Sequence, residues 1–520
     1  MEPPSEVDLP SVATLDMLLR ETPAGTLPEL PGGDPAVLEQ GRATREAMAE
    51  WGGSLEGAAS QEGPGGAGDA RWGGGEVDCC SAAALSYDAF VRDHMARNRP
   101  VLIQGAACGW PAAREWRSPG GGVAMAELAE RYGDAAVQVT AMPAAGDAEG
   151  GGWECEEMSL REYAAWWARW HAGQAAPGEP AKYLKDWHFA HEFRHRQFRA
   201  YQLPKYFRED WLNGFYDSRA AAAGGAAAAA DYRFVYCGPA GTWTPLHADV
   251  LRSFSWSANV AGRKRWLLLP PQHSFRLYDA TGQRLASSLR AEDMGAAAAA
   301  RYPWLEGAAR YVTEVIQMPG DALFVPSGWH HMVENLDDCL SINHNWINQH
   351  NVHWTLAFLQ RGYAEAAASI ADCRPLCRTE EEFEELVQRN LGANCGLDAA
   401  QLLELLACAV PGAGEGAPSG TESRAAWLLS REHSLARIQG CLRALRAEAT
   451  DSSPPGPRFS AGIQRHPATC DPLRRVEEAC VAAGVATGER DVNRQPRDAA
   501  CAKEDGQFRG GETDWGQATA

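Results

Sequence analysis

From Tyr232 onward, apolar and polar residues alternate with a period of two, the signature of half-buried strands. The alternation covers Arg233–Tyr236, Ser253–Val260, Arg265–Leu269, Tyr311–Ile316, Ala322–Val325 and Leu340–Asn343. Gly and Pro interrupt it at Gly238-Pro239, Gly262, Pro270-Pro271, Pro319-Gly320-Asp321 and Pro326-Ser327-Gly328. Many short strands separated by such turns predict a jelly roll or barrel. Before this region, Tyr87–Met95 reads as a helix and Arg99–Gly105 as a short buried strand. Ser159-Leu160-Arg161-Glu162 is a capping box that opens another helix. Tyr163, Trp166 and Trp170 fall on one face of it, a spacing that favours core over a ligand platform. After about His353 the period returns to helical, with Phe383, Leu386 and Val387 and then Leu402, Leu403, Leu405 and Leu406.

These patterns divide the 520 residues into five stretches. Residues 1–78 form an acidic Gly/Pro/Ala-rich arm, with one short amphipathic patch at Leu15–Arg20. Residues 79–230 are a helix-and-strand region that supports the barrel, 231–365 the barrel itself, and 366–447 C-terminal helices. Residues 448–520 are a low-complexity tail. Two alanine runs, Ala220–Ala230 and Ala296–Ala300, read as surface expansions between elements.

Composition narrows the functional classes. The net charge is −20, most of it on the arm, which argues against sequence-independent nucleic-acid binding, since that needs a basic face. No run of about 18 apolar residues is present, so no transmembrane helix is expected. The first residues, Met1-Glu2-Pro3-Pro4-Ser5-Glu6, lack the basic start and apolar run of a secretory signal. Reduced thiols and a cytoplasmic or nuclear setting are therefore expected for the 14 cysteines. Neither Cys79-Cys80 nor Cys373/Cys377 has a second pair at zinc-ribbon spacing, so both read as plain thiols.

Two short segments carry chemistry. In Thr242-Trp243-Thr244-Pro245-Leu246-His247-Ala248-Asp249, His247 and Asp249 are two apart, and on a strand they would share a face. A His-x-Asp alone is weak and usually a surface polar pair. The later Pro326-Ser327-Gly328-Trp329-His330-His331 strengthens it, because two histidines and one carboxylate on facing strands make the facial triad of non-haem iron(II) oxygenases. Three coordination positions then stay open for a chelating 2-oxo acid and dioxygen. Strand parity without a register does not choose between His330 and His331. Lys264, in Gly262-Arg263-Lys264-Arg265-Trp266, is the candidate to neutralise the far carboxylate of that oxo acid. The bland alternative is a solvated basic turn. Thr244 could donate a second hydrogen bond to the same carboxylate.

These residues resemble the jumonji-C family of iron(II)- and 2-oxoglutarate-dependent oxygenases. Asn98–Ile103 with Gly109-Trp110-Pro111 is similar to the family's N-terminal motif, and Tyr183-Leu184-Lys185-Asp186-Trp187 to the segment leading into its barrel. Gly238–Pro271 and Gly320–Asn348 resemble its catalytic core. The resemblance covers about residues 80–365 and implies a double-stranded β-helix, a cupin-like jelly roll, in a mainly β chain with flanking helices (α+β). It implies that His247, Asp249 and His331 bind Fe(II), with His331 rather than His330 as third ligand. It also implies that Lys264 and Thr244 hold the 2-oxoglutarate cosubstrate, with Asn343 nearby, and that O2 is consumed. Within the family the motifs look most like a cytosolic protein lysyl hydroxylase whose substrate is the eukaryotic peptide-chain release factor. Neither direct nucleic-acid contact nor membrane association is expected. Competing readings are a lysyl demethylase with the same core, a zinc-bound cupin, and a non-catalytic cupin-like scaffold.

Overall fold

The computed structural model describes residues 72–144, 146, 148, 153–194, 199–222, 231–410, 433–445, 459, 463 and 467–482. The Leu15–Arg20 patch and most of the Ala220–Ala230 run lie outside these residues. Among the described residues, thirteen strands build two sheets. The first nine elements of the sandwich are β1 (Asp78–Ser81), β2 (Val101–Gln104), β3 (Ala136–Ala141), β4 (Cys155–Ser159), β5 (Lys182–Trp187), β6 (Arg233–Gly238), β7 (Trp243–His247), β8 (Phe254–Ala261) and β9 (Lys264–Leu269). β10 (Thr313–Gln317), β11 (Ala322–Val325), β12 (His330–Asn335) and β13 (Cys339–Trp346) complete them. The larger sheet runs β1-β2-β11-β8-β13-β6-β5-β3-β4 and the smaller β10-β9-β12-β7. All neighbours are antiparallel except β1 with β2. This is the cupin-like jelly-roll architecture, a mainly β core with flanking helices.

Alternation along the strands sorts the side chains into layers. Leu102, Leu323 and Val325 of the large sheet meet Trp266, Leu268, Val315 and Val333 of the small one in a cluster between the sheets. On the outer face of the large sheet, Trp256, Ile342 and Trp346 pack with N-terminal elements. Two helices there are α1 (Met125–Tyr132) and α2 (Leu160–His171). α2 opens on the predicted capping box: Ser159 Oγ accepts from the Glu162 backbone N–H, and the Glu162 carboxylate accepts from the Ser159 N–H at 2.8 Å. Tyr163 and Trp166 of α2 are buried in this core. The outer face of the small sheet is covered by Leu277, Met294, Tyr302 and Leu305.

The C-terminal helices, joined by one helix that precedes the barrel, form their own apolar layer. α3 (Trp211–Ala222), α4 (Val352–Ser369), α5 (Glu380–Cys395), α6 (Ala399–Ala409) and a helical segment at 433–445 pack through Leu212, Leu356, Val387, Leu402 and Ile438. Among the described residues no helix is long and apolar enough to cross a membrane.

Three boundaries differ from the sequence expectation. Residues 72–78 belong to the folded body rather than the arm: the Gly74 N–H donates to the Val312 carbonyl at 2.9 Å, and Val77 enters the cluster between the sheets. The 448–520 tail contains α7 (Pro467–Ala482), whose Val476 and Cys480, four residues apart, supply an apolar face for α6. The alanine runs are partly helical, since Ala220–Ala222 end α3 and Ala296–Ala299 form a helical turn. Alanine is the best helix former, so such runs extend helices where space allows.

Two glycines set the strands that carry the site. Gly262 turns β8 into β9 at φ +73°, and a Cβ there would stand 2.3 Å from the Asp338 carbonyl oxygen. Gly328, also at φ +73°, precedes β12, and its missing Cβ leaves room for the Trp354 ring.

Candidate active site

The small sheet brings the sequence-predicted residues onto one face. In the β12–β9 register, His331 lies opposite Leu268, Val333 opposite Trp266 and Asn335 opposite Lys264. In the β12–β7 register His331 lies opposite His247. Cross-strand partners share a face, so His247, His331 and Lys264 all point between the sheets. His330 is paired with Leu269 and points the other way, fully buried, with Ser274 Oγ 3.0 Å from its Nδ1.

The ligand-type atoms of His247, Asp249 and His331 all lie within 4.8 Å of one another. Among the described residues this is the one group of three His, Cys, Asp or Glu side chains so placed. The centroids of the two imidazole rings are 4.3 Å apart. His247 Nδ1 donates to the Pro245 carbonyl at 2.8 Å and His331 Nδ1 to the Trp329 carbonyl at 3.0 Å. A carbonyl only accepts, so each ring carries its proton on Nδ1 and offers the Nε2 lone pair. This is how metal-binding imidazoles are oriented. Burial, reinforced by His331, pushes His247 down to about 4, so it stays neutral at ordinary pH.

Asp249 reaches the cluster by a route that the sequence reading did not foresee. β7 ends at His247, and Asp249 caps a short 3-10 turn, Val250–Arg252, in which Leu251 and Arg252 have φ of 57° and 51°. The carboxylate is therefore aimed by a turn and not by strand alternation. Its two oxygens accept from Ser255 Oγ at 2.7 Å and Asn345 Nδ2 at 2.9 Å. Neither partner was singled out from the sequence; both lie on strands of the opposite sheet, where only the folded register reveals them.

Lys264 is 2% exposed. Its ammonium donates to the Tyr183 hydroxyl at 3.2 Å, and among the described residues no carboxylate stands within ion-pair reach of it. Tyr183 is a third residue the sequence reading missed as a site group. Thr244 lies opposite Val333, and the register shift between His331 and Val333 lets it share the inner face with His247 three residues on. Asn343 is on the inner face of β13, its amide donating to Ser341 Oγ at 3.3 Å. Asn345, not Asn343, touches the His/Asp cluster.

A second ammonium lies nearby. Lys185 of β5 stands over the rings of Trp153 and Tyr183, 5.5 and 5.0 Å from their centroids. Burial pulls it down to about 8, with Lys264 adding to the effect against Asp186 and Cys155.

A two-sheet jelly roll with a His-x-Asp and a distant His converging between its sheets defines a cupin-type metal-site protein. Residues 87–351 match the cupin-like domain family, and the chain belongs to this cupin-like jumonji-C family. It is similar to the arginine-specific demethylase JMJ20 of Arabidopsis thaliana, 38% identical over 343 residues, 62% of this chain and 68% of that protein. It is also similar to the 2-oxoglutarate and iron-dependent oxygenase JMJD4 of Homo sapiens, 39% identical over 313 residues, 58% of this chain and 66% of the relative. The Drosophila melanogaster homolog of JMJD4 is 31% identical over 369 residues, 64% of this chain and 78% of the relative. The chain thus spans about two thirds of the length of the first two relatives.

Proposed function

We propose that this chain is an iron(II)- and 2-oxoglutarate-dependent dioxygenase that hydroxylates a lysine side chain of a translation termination factor, the eukaryotic peptide-chain release factor, in the cytoplasm. The observation that carries the reading is the pairing of two features on one inner face. One is a His247–Asp249–His331 cluster with both Nε2 atoms free to bind; the other is a buried Lys264 ammonium without a counter-charge. A buried cation is costly unless paired, and a dicarboxylate cosubstrate supplies the partner. Two imidazoles and one carboxylate suit iron(II) and leave three positions open.

When bound, iron with 2-oxoglutarate and dioxygen would supply the hydroxylation of an unactivated C–H bond, one oxygen atom going to the substrate and the other to succinate as the cosubstrate loses carbon dioxide. The chain's own residues do the rest. His247 and His331 present their lone pairs through backbone-fixed tautomers. Ser255 and Asn345 hold the Asp249 carboxylate in one orientation. Lys264 and Tyr183 receive the far carboxylate of the cosubstrate. Trp266, Leu268 and Val333 line the interior and exclude water.

The lysine target rests on the resemblance within the family. The similarity to a protein named as an arginine-specific demethylase supports a second reading, in which the hydroxylated carbon is an N-methyl group that leaves as formaldehyde. One experiment separates them. The purified full chain is supplied with Fe(II), 2-oxoglutarate and either release factor or methylated arginine and lysine peptides. Mass spectrometry that finds one added oxygen on a release-factor lysine supports the hydroxylase. Formaldehyde with loss of methyl groups supports the demethylase. Succinate formation stimulated by neither substrate overturns both.

A further inference from the structure

Outside the space between the sheets, four basic side chains meet with no acid among the described residues beside them. His350 and His353 lie where β13 gives way to α4, and His433 and Arg437 are one turn apart on the helical segment at 433–445. The rings of His350 and His433 are 4.7 Å apart. Arg437 Nε donates to His433 Nε2 at 3.3 Å. Arg437 is 6% exposed, and among the described residues its other N–H groups have no recorded partner. His353 Nδ1 is buried without one.

Among the described residues, no carboxylate contributes to the electrostatics of these groups. Burial and the Arg437 charge push His350 and His353 down to about 3 and His433 well below its usual value. Burial lowers Arg437 itself, and the one group opposing that is the Cys441 thiol, which burial holds up at about 12. Other arginines in this acidic chain hold carboxylates: Arg233 pairs with Asp217, Arg263 with Asp337, Arg265 with Glu334 and Arg290 with Asp293. Arg437 stands apart from them. His350, His353 and His433 are partly rather than fully buried residues, so the cluster lies close to the protein surface.

A metal ion does not fit. The three imidazoles are not among the groups whose ligand atoms converge, and a guanidinium in their midst repels a cation. An anion fits on both counts. The guanidinium fork matches the oxygens of a phosphate, and neutral imidazoles donate N–H bonds to the same group. We propose that His350, His353, His433 and Arg437 form a binding site for a phosphate-class oxyanion, separate from the site between the sheets. Free phosphate and a phosphorylated side chain share this chemistry.

The test is a calorimetric and thermal-shift titration of the full chain with inorganic phosphate, with sodium chloride and acetate at matched ionic strength. A phosphoserine peptide and its unphosphorylated form make a further pair. Wild-type protein binds phosphate and is stabilised by it, while acetate has little effect. R437M weakens binding at least about tenfold, and H350Q, which leaves the buried cation in place, weakens it about threefold. K264M, lacking the cation between the sheets, keeps the wild-type response, which separates this site from the cosubstrate pocket. Circular dichroism checks that each variant is folded. Binding of the phosphoserine peptide but not its unphosphorylated form supports the site and assigns the anion to a modified protein. Absence of a phosphate-specific response in wild type overturns the proposal. So does an unchanged response in both R437M and H350Q, or an acetate effect equal to that of phosphate.

Discussion

His330 and His331 are consecutive on β12 yet face opposite sides of the small sheet. His331 meets His247 with ring centroids 4.3 Å apart, while His330 pairs with Leu269 and lies against Ser274 in the outer apolar layer. One position along a strand therefore separates a metal-binding geometry from a buried structural histidine.

The pair makes opposite predictions. H331A loses tight Fe(II) or Co(II) retention and substrate-coupled succinate formation, with folding largely kept. H330A keeps the metal but is destabilised by ~2 kcal/mol, the usual scale for emptying a packed site. Metal content after dialysis and urea melts on both variants check this. Retention of metal by H331A and its loss from H330A would reverse the assignment.

Asn345 donates to one Asp249 oxygen while Ser255 donates to the other. Removing one of these partners leaves the carboxylate present but loosely aimed. N345A is expected to weaken Fe(II) affinity by about 10–100-fold, the range for lost partners of metal ligands, with little change in thermal stability. A competition titration against a coloured chelator measures it. An affinity equal to wild type would remove Asn345 from the site's support.

What could be read from the sequence follows from what is local. The strand alternation from Tyr232 onward and the Gly/Pro turns carry the jelly roll, because each strand there buries one face. His247 and the 330–331 histidine pair are visible as residues. The choice between the two histidines is not, since it depends on the β12–β9 register. The turn that aims Asp249 depends on positive φ at Leu251 and Arg252, neither a glycine, so no residue type signals it. Tyr183 and Asn345 meet their partners across 81 and 96 residues of chain. β4 is harder still: Cys155–Ser159 has no buried position and two adjacent glutamates, and is a strand because β3 offers it hydrogen bonds.

His344 supplies a pH-dependent prediction. It is buried against Trp256, its Nε2 hydrogen-bonded to the Tyr201 hydroxyl at 2.6 Å, and burial holds it well below its ordinary value of 6.5. The folded state therefore keeps it neutral, while the unfolded chain takes up a proton below about pH 6.5. Its contribution is intact above that pH and is lost as pH falls toward the folded value. Below pH 6 this group alone steepens the loss by about 1.4 kcal/mol per pH unit. H344Q, which can still accept from Tyr201, should flatten the decline by one proton's worth. Urea melts at pH 7.5, 6 and 5 compare the two slopes, and parallel slopes would show that His344 titrates normally in the folded protein.

Lys264 links stability to cosubstrate in a way that a solvated lysine would not. Its ammonium is buried with a phenol as its recorded partner, so without the cosubstrate the fold carries an uncompensated charge. K264M removes that charge and keeps most of the stem's volume. The variant without cosubstrate should be more stable than wild type, by about 1–3 kcal/mol. 2-Oxoglutarate should do the reverse, raising the melting temperature of wild type and leaving K264M almost unmoved, because the anion no longer finds its partner. K264R tests whether charge alone suffices: its longer planar head fits the Tyr183 pocket poorly, and partial rescue at a higher 2-oxoglutarate requirement is expected. Thermal melts of the three proteins across a 2-oxoglutarate series read both effects in one experiment. If K264M is less stable than wild type and still responds fully to 2-oxoglutarate, the ammonium serves the core and another group holds the cosubstrate.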